Sequence, residues 1–600
     1  MAIYRSDQAQ LTFAAETAQG GDLEMMEGEL ETSSAGATTL ATAAKAGART
    51  VVVSSATNFV EGSQIRIGTV EGTAANTVTT HEVRRIESIS GTTFVIDRPL
   101  AFAHAGSQEV KEVKGVGGAS DTVNDADKYI TFIPGVYETV DTPDPQMTIE
   151  GRRFLGTTSR RRWNVAYSGQ QSLVGSVGGI PLLNGWPLRF PIGSVTTTAS
   201  ATTGSTLNIA SVDAVKGDIF VTLDNRSSLA VGDYVQISDD GAATNSELRK
   251  VIALPASGQV IKLNYPLHFD HATGSDVKEV NQSSSIVYTH VIQEETQLDT
   301  VSWHVHIRDS AETSSNTQDF NRRYVGGMIG SSTLAAEEGG MLTQSWDSVN
   351  FLDMVHNQAN QNSIGSLSLY TGASPQANMP RYALMQNIDA DDIGEPSHKT
   401  TGGSAAANDG TGYPTTQPYY FSQGTIKFYN TTIAKIRSFS LSISNGEEPR
   451  YYLSRLGKRN RGPHEIMEGP RDYSMSASVV LPDINALSAA TTPSLTNATE
   501  LFKQLLLEGD YDGSIGKRGF SATLQFTRDT NDYIYIDIPT STTAGAPTEG
   551  TDNTSQINKQ GIFITSASHA IGDGAALQAD LDMILRGIKI TIKDNVPIYP

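Results

Sequence analysis

The residues best placed to do chemistry in this sequence are two histidines and a small acidic group. His304 and His306 lie two apart in an alternating segment, so both project from one face of a strand, at a spacing that can hold a metal. No close ligand accompanies them beyond Asp309, which favours a surface or interface pair. The acidic residues at 389–392 lack the glycine and glutamate spacing of a calcium-binding EF-hand loop, which favours a solvated loop. We therefore predict no metal site.

Catalytic motifs of fixed spacing are absent from the sequence. It contains no GxSxG, HExxH, P-loop or GxGxxG pattern and no cysteine, which excludes thiolate metal sites and cysteine nucleophiles. We predict no catalytic residue, no cofactor and no enzyme activity. A secreted polysaccharide-degrading enzyme is the least favoured alternative, because the paired carboxylates that such chemistry needs cannot be placed in the sequence.

Two basic runs interrupt a chain whose net charge is −21. Nucleic-acid contact is one interpretation of them, and contact with acidic patches of a neighbouring copy is the other. The second is favoured, because so acidic a chain would not neutralise phosphates overall. The candidate inter-subunit residues are Arg160, Arg161, Arg162, Arg455, Lys458, Arg459 and Arg461.

The composition indicates a β-rich chain. Charged residues make up 18% of the 600 residues, and Ser, Thr, Asn and Gly are abundant instead, as is typical of strands joined by turns. No run approaches 18 apolar residues, so we predict no membrane insertion. The first residues, MAIYRSDQAQLTF, lack the apolar stretch of a secretory signal peptide.

An internal repeat divides the chain. Segment 91–113 matches 258–280 at a constant offset, and the segments at 59–67 and 83–86 match those at 229–237 and 248–251. The pattern of each copy predicts about five short strands, as in a small barrel or sandwich. We predict an inserted β-module at 46–115 and a second at 206–285, flanked by low-complexity linkers. The remainder, 1–45, 116–205 and 286–600, would form one split domain.

Most of that split domain alternates with period two, as half-buried strands do. The best helix signal is at 497–509, where Asn497 is an N-cap, Glu500 completes a capping box and Gly509 ends the helix. Segment 389–424, rich in Gly, Ser, Thr and Pro, is predicted to be a long loop.

Three segments carry a family resemblance. Residues 321–347 include NRRYVGGMI, LAAEEGG and LTQSWD, residues 438–469 include SFSLSI, NGEEPRYY and PHEIMEG, and residues 11–17 read LTFAAET. Taken in chain order, and with the predicted helix at 501–509 after the last of them, these segments resemble the tail tube (major tail) proteins of long-tailed, siphovirus-like viruses.

The resemblance implies a mostly β fold: a tail-tube-type β-sandwich or barrel with one flanking helix, here with two small all-β inserted modules. It implies six copies per ring, rings stacked through a long hairpin and the terminal segments, and a lumen through which the genome is ejected. The implied partners are further copies of the chain, the tape measure, terminator and baseplate proteins, and viral DNA in passage. The implied location is the virion tail, after assembly in the host cytoplasm.

Charge and composition add two expectations. An acidic lumen would repel DNA phosphates, so that the genome slides without sticking. The inserted modules, joined by flexible linkers, would decorate the outer wall of the tube. The main alternative is another tail or baseplate component, or a surface adhesin with carbohydrate-binding β-modules.

Overall fold

The structure is a computed structural model. It describes residues 9–16, 32–45, 47–57, 59, 64–68, 82–96, 100, 103–113, 133–134, 138–143, 146–152, 165–210, 212–218, 220–230, 232–239, 245–254, 259–280, 286–295, 297–307, 320–357, 417–428, 435–452, 462–463, 465–480, 522–538, 562–570 and 578–599.

Strands make up most of these residues, which confirms the predicted mostly β fold. In chain order the strands are β1 (Ala9–Ala15), β2 (Thr32–Thr39), β3 (Thr50–Val52), β4 (Gln64–Ile67), β5 (Glu82–Ser90), β6 (Thr93–Ile96), β7 (Glu109–Val113), β8 (Ile133–Pro134), β9 (Thr139–Asp141), β10 (Gln146–Arg152), β11 (Val165–Ser172), β12 (Val174–Pro181), β13 (Gly193–Ala199), β14 (Thr202–Asn208), β15 (Phe220–Thr222), β16 (Tyr234–Ser238), β17 (Glu247–Ala253), β18 (Val260–Leu263), β19 (Asp276–Val280), β20 (Tyr288–Glu294), β21 (Val301–Ile307), β22 (Phe320–Glu337), β23 (Thr343–Asn350), β24 (Asp353–Asn357), β25 (Gly424–Phe428), β26 (Lys435–Ser444), β27 (Glu448–Arg450), β28 (Glu465–Met467), β29 (Asp472–Val480), β30 (Ala522–Asp529), β31 (Asp532–Ile538), β32 (Ile562–Ala570), β33 (Gln578–Leu585) and β34 (Lys589–Asp594).

Helical structure is short within the described ranges. The α-helix α1 covers Arg189–Ile192, directly after a 3-10 turn at Trp186–Leu188, and a second 3-10 turn covers Phe421–Gln423. The predicted helix at 497–509 lies outside the described residues. Among the helices described, none is long and apolar enough to cross a membrane.

Two large sheets share one hydrophobic core and form what we call the body. One is a twelve-stranded sheet with the path β32-β33-β29-β26-β22-β21-β1-β8, to which β9, β12, β23 and β24 are added; the other is a six-stranded sheet, β13-β20-β34-β31-β30-β25. Inward residues of both sheets belong to one cluster; for example, Phe439 of the first packs on Phe526 of the second with ring centroids 5.7 Å apart. Alternation along each strand therefore turns the other face of the large sheet away from this core, and we call it the free face because no further sheet among the described residues packs on it.

Aromatic side chains form the centre of this core. Trp346 packs edge-on against Phe13 and Phe190, with ring centroids 5.0 and 5.8 Å apart. Gly327, in the GG pair of the family-like segment, lies so close to Phe351 that a Cβ there would approach the ring to 2.4 Å. The glycine is therefore required for packing.

Two further six-stranded sheets are built alike. The first has the order β2-β7-β4-β5-β6-β3 and the second β14-β19-β16-β17-β18-β15, and each encloses its own hydrophobic cluster. We call them the first and second repeat sheets. Equivalent bridges join Ala44 to His104 and Ala214 to His271. The left-handed residue Ser107 of the first (φ 72°) corresponds to a left-handed glycine, Gly274 (φ 100°), in the second.

The predicted linkers are wrong. Residues 33–48, predicted to join the split domain to the first module, contain β2, which pairs with β7, and the buried side chains of Leu40 and Ala44. The first repeat sheet thus begins before residue 46. Residues 194–206, before the second module, lie in β13 and β14, and β13 pairs with β20 of the body. The β-branched Thr favours strands, and pairing with β7, β19 and β20 orders these segments despite their low complexity.

Of the predicted loop at 389–424, the structure describes the last residues. Tyr419 is fully buried, and its hydroxyl donates to Asp532 Oδ1 at 2.5 Å. The Arg528 guanidinium lies 3.9 Å from the centroid of the Tyr419 ring and also donates to Asp532. The end of the segment is therefore anchored to β30 and β31.

Candidate functional site

The free face of the large sheet is lined by small polar residues. In β26, β29 and β33, the inward positions carry Phe, Leu, Ile, Met, Tyr and Ala, as in Leu441, Met475 and Leu581, all buried. Serines occupy most of the outward positions, because Ser alternates with apolar residues in segments 438–444 and 474–478. Alternation thus produces an apolar face for the core and a hydroxyl-lined face for solvent.

Strand register aligns these outward residues into three rows across the sheet. The middle row crosses five strands, and its neighbours are paired directly: Ala335 with Ser440, Ser440 with Ser476, Ser476 with Asp582, and Asp582 with Ser566. The flanking rows are Thr333, Ser442, Ser474 and Ile584 on one side, and Glu337, Ser438, Ser478 and Asp580 on the other. We call these thirteen residues the serine face.

The serine face contains a shallow groove of about 500 Å³. The groove is lined by Glu337, Asp580 and Asp582, by serines of β26 and β29, and by Gly340, Met341 and Thr343 at the turn after β22. Three carboxylates and no Lys or Arg belong to the thirteen residues. The nearest basic side chain in the strand, Arg437, pairs with Glu338 at 2.9 Å beyond the end of the face.

The chemistry of this face is that of a smooth, acidic and hydrated wall. Serine hydroxyls donate and accept hydrogen bonds without reaching far from the sheet. Ser566 donates to Asp582 at 2.5 Å, so this carboxylate is held at the surface. The thirteen residues include no cationic side chain that could hold a phosphate. The face repels polyanions.

The buried carboxylate of Glu16 anchors β1 to the neighbouring strands of the large sheet. Glu16, 5% exposed, accepts hydrogen bonds from Thr300 Oγ1 at 2.7 Å, Ser302 Oγ at 2.6 Å and the Gly326 amide at 2.7 Å. Three donors compensate its desolvation. Glu16 lies in the family-like segment 11–17, directly after β1, and it ties this strand to β21 and β22.

A second carboxyl, Glu447, lies between β26 and β27. Burial raises its pKa to about 8, the nearby charge of Glu468 adds to that shift, and a hydrogen bond from Asn350 at 2.8 Å opposes it. Its Oε1 atom has no hydrogen-bond partner among the described residues. Glu447 is therefore protonated at neutral pH.

Three buried side chains are arranged like the hydroxyl, imidazole and carboxylate of a catalytic triad. Thr197 Oγ1 lies 2.9 Å from His290 Nδ1, and His290 Nε2 lies 3.2 Å from Asp594 Oδ1. All three side chains are at most 3% exposed, and the Tyr599 ring stacks on His290 with centroids 3.7 Å apart. The group is enclosed and fixes the C-terminal segment to β20.

The sequence-predicted inter-subunit residues lie outside the described residues. Arg160, Arg161 and Arg162 fall between β10 and β11, and Arg455, Lys458, Arg459 and Arg461 fall between β27 and β28. They remain predictions, as does the acidic group at 389–392.

His304 and His306 lie in β21, paired with β1 and β22. Among the residues that the structure describes, no three His, Asp or Glu side chains are grouped to hold a metal.

The strands flanking the first basic run form an exposed hairpin. β10 and β11 pair with each other, and in the described structure with no further strand. Its apolar side chains face solvent: Met147 is 44%, Ile149 63% and Tyr167 51% exposed. Exposed apolar residues clustered on one hairpin indicate a contact surface.

Comparison with known proteins leaves the chain without a match: no family model and no curated protein matches it.

Sequence analysis missed the serine face, although its signal was present. Serines alternate with apolar residues in segments 438–444 and 474–478, but they line one surface only because β26 and β29 are neighbours in register. Pairing of strands distant in sequence is not encoded in local periodicity.

Proposed function

We propose that this chain is the structural subunit of a viral tail tube, in which six copies form a ring and rings stack into a hollow tube. In this assembly the serine face lines the lumen, and the genome passes along it during ejection. The proposal rests on the resemblance of three collinear segments and on the serine face, to which two of them contribute residues of β22 and β26.

The observation that carries the proposal is the composition of the serine face. DNA carries a negative charge about every 1.7 Å of its axis, so a wall with lysines or arginines would retain it. A wall of short hydroxyls with Glu337, Asp580 and Asp582 gives no cation to hold phosphates and no long side chain to obstruct them. Six chains of net charge −21 add repulsion of the same sign.

Two features of the body suit assembly with further copies. In the described structure β32 pairs with β33 alone, so one edge of the large sheet is free to continue into a neighbouring copy. The β10–β11 hairpin presents Ile149 and Tyr167 to solvent, and the basic residues Arg160–Arg162 fall within its connection. We assign the free edge to contacts within a ring and the hairpin to contacts between rings.

A surface adhesin, or another tail or baseplate component, is the second candidate. The two repeat sheets favour it, because duplicated small β-modules with separate cores are typical of proteins that bind extended ligands more than once. This candidate predicts few copies per particle and binding of carbohydrate.

Negative-stain microscopy of the purified full chain tests the proposal. Hexameric rings or long hollow tubes are expected. Ile149→Asp should abolish stacking while rings persist, and Val215→Asp, at a residue 45% exposed in the second repeat sheet, serves as the matched control that still forms tubes. Monomers or trimers across the accessible concentration range would overturn the proposal.

A further inference from the structure

A cluster of charged side chains joins the second repeat sheet to the body. The body contributes Arg189 of α1 together with Glu295 and Asp299, which follow β20, and the repeat sheet contributes Lys216 and His268. Arg189 Nη2 lies 2.7 Å from His268 Nδ1 and also pairs with the Asp299 carboxylate. Lys216 Nζ lies 2.6 Å from Glu295 Oε1 and 3.0 Å from Asp299 Oδ1.

His268 is enclosed by charge on both sides of this interface. From the body, Arg189 and Asp299 face its ring, with Asp299 Oδ2 at 3.4 Å. From its own sheet, Glu247 and Arg249 of β17 face it, and the Glu247 carboxylate accepts the His268 amide at 2.9 Å. Arg189 and His268 are both at least 96% buried, so water screens these charges poorly.

The interface around the cluster is well packed. Its apolar part consists of Tyr234, Leu248, Tyr265, Val280, Ile286, Tyr288 and Ile598, all buried. Backbone groups also join the two units: the Thr197 amide of β13 donates to the Ser246 carbonyl at 2.7 Å, and the Ser246 hydroxyl donates to the Thr197 carbonyl at 2.8 Å. The second repeat sheet is thus docked on the body.

The charged residues that dock the second repeat sheet are absent from the equivalent positions of the first. In the repeat, Leu100 matches Leu267, so the sequence has Ala101 where the second copy has His268. Likewise Gly47 and Gly217 donate equivalent hydrogen bonds, to the carbonyls of Leu100 and Leu267, so the sequence has Ala46 where the second copy has Lys216. The ionic cluster is therefore a property of the docked copy and is not needed for the sheet itself to form.

We propose that this cluster is an acid-sensitive latch, which holds the second repeat sheet to the body at neutral pH and releases it when His268 takes up a proton. A proton there adds a positive charge beside Arg189 and Arg249, while the compensating Asp299 is already shared with Arg189 and Lys216. The latch goes beyond the proposed tube function and does not depend on it.

The direction of the effect follows from proton linkage. Burial, with Arg189 and Arg249, lowers the pKa of His268 to about 3, so the released state binds a proton more readily than the docked state. Docking is fully effective above pH 6.5, the ordinary value, and weakens as the pH falls below it. Between pH 6.5 and 5 the docking equilibrium should fall about 16-fold, because half of the released-state histidine is already protonated at pH 6.5.

Between pH 6.5 and 5, protonation of His268 affects docking differently from protonation of the neighbouring groups. The pKa of His271 is raised by Glu247 and Asp239 despite its burial, so its contribution is complete below pH 6.5 and constant through the window. The pKa of Asp299 is lowered far below its usual range, and it loses its contribution only in stronger acid. Burial and Asp299 raise the pKa of Glu295, so its protonation favours the docked state and opposes release at the acidic end.

Amide hydrogen exchange of the full chain tests the latch. The Thr197 amide and the Ala199 amide, which donates to Gln236 Oε1 of the repeat sheet, should lose about 16-fold protection from pH 6.5 to 5, corrected for the intrinsic effect of pH, whereas β29 should keep its protection. His268→Asn retains an acceptor for Arg189 and cannot titrate, so its protection should stay constant. His104→Asn in the first repeat sheet is the matched control and should behave as the unmodified chain.

Two results would overturn the latch: unchanged protection in the unmodified chain, or the same acid-induced loss in His268→Asn. If His268→Asn is already undocked at pH 7, the latch is tested instead by hydrogen exchange at the ring carbon of His268 in the unmodified chain. His268 is then expected to titrate only together with the loss of Thr197 protection, and titration near pH 6.5 with the interface intact contradicts the proposal.

Discussion

Ser476 of β29 and Asp582 of β33 are direct cross-strand neighbours on the solvent face of the twelve-stranded sheet. Their side chains point away from Met475 and Leu581, which belong to the shared core. The same two strands therefore contribute to the hydrophobic core with one face and to the serine face with the other. The apolar residues that fold the body also fix the height and spacing of the hydroxyl and carboxylate groups opposite them.

Adding positive charge to the serine face should make the assembled protein retain DNA. The double variant Ser440→Lys with Ser476→Lys places cations in the middle row, where phosphates would contact them. At low salt we expect assembled tubes of this variant to retain at least about tenfold more double-stranded DNA than the unmodified tubes, with a steep loss as salt rises. Co-sedimentation of tubes with labelled DNA measures this.

The control for that experiment is Ser228→Lys, at an exposed position of the second repeat sheet. It adds the same chemistry away from the proposed lumen. Equal retention by the control and by the double variant would show that the serine face is not the surface that DNA meets.

Replacing Glu16 should destabilise the body. Glu16→Gln puts an NH₂ donor among three donors, from Thr300, Ser302 and Gly326, and leaves one of them unsatisfied. The expected loss is about 1–3 kcal/mol in the free energy of unfolding, seen as a lower melting temperature in calorimetry. Glu150→Gln, in an exposed pair with Arg152, should change the melting temperature little; an equal effect of both variants would remove the special role of Glu16.

Glu447 should make the body less stable as the pH rises. Because burial raises its pKa to about 8, the folded state binds a proton that the unfolded state releases near pH 4.5, so stability is lost as the pH increases through 8. Glu447→Gln should raise the melting temperature at pH 8, by an amount equivalent to about 1–3 kcal/mol, and leave it nearly unchanged at pH 5.

The exposed neighbour provides the comparison for this pH effect. Glu448→Gln should follow the unmodified chain at both pH values. A Glu447→Gln variant with no gain at pH 8 would mean that this carboxyl ionises in the folded protein without cost.

Local sequence patterns predicted strands well and connections poorly. Period-two segments such as 438–444 and 533–538 form strands, because alternation alone creates a core face and a solvent face. The Ala, Ser and Thr segments before each repeat were predicted to be linkers, yet they form β2, β13 and β14. Backbone pairing with distant strands orders these segments, and their low hydrophobicity gives no sign of that pairing.

The candidate sites required contacts that no local pattern reveals. The serine face depends on β22, β26, β29, β32 and β33 lying side by side although they span residues 320–585. The latch joins Arg189 to His268 and Asp299, which are separated in sequence by 79 and 110 residues. The repeat alignment shows His268 where the first copy has Ala101, but only the tertiary contacts show that this histidine faces Arg189 and Asp299.

The most direct test of the account is a cryo-electron microscopy reconstruction of the assembled full chain. Stacked rings of six subunits are expected, with Ser440, Ser476 and Asp582 facing the central lumen. A closed ring with these three residues on its outer wall, or a protein that forms no ring, would contradict it.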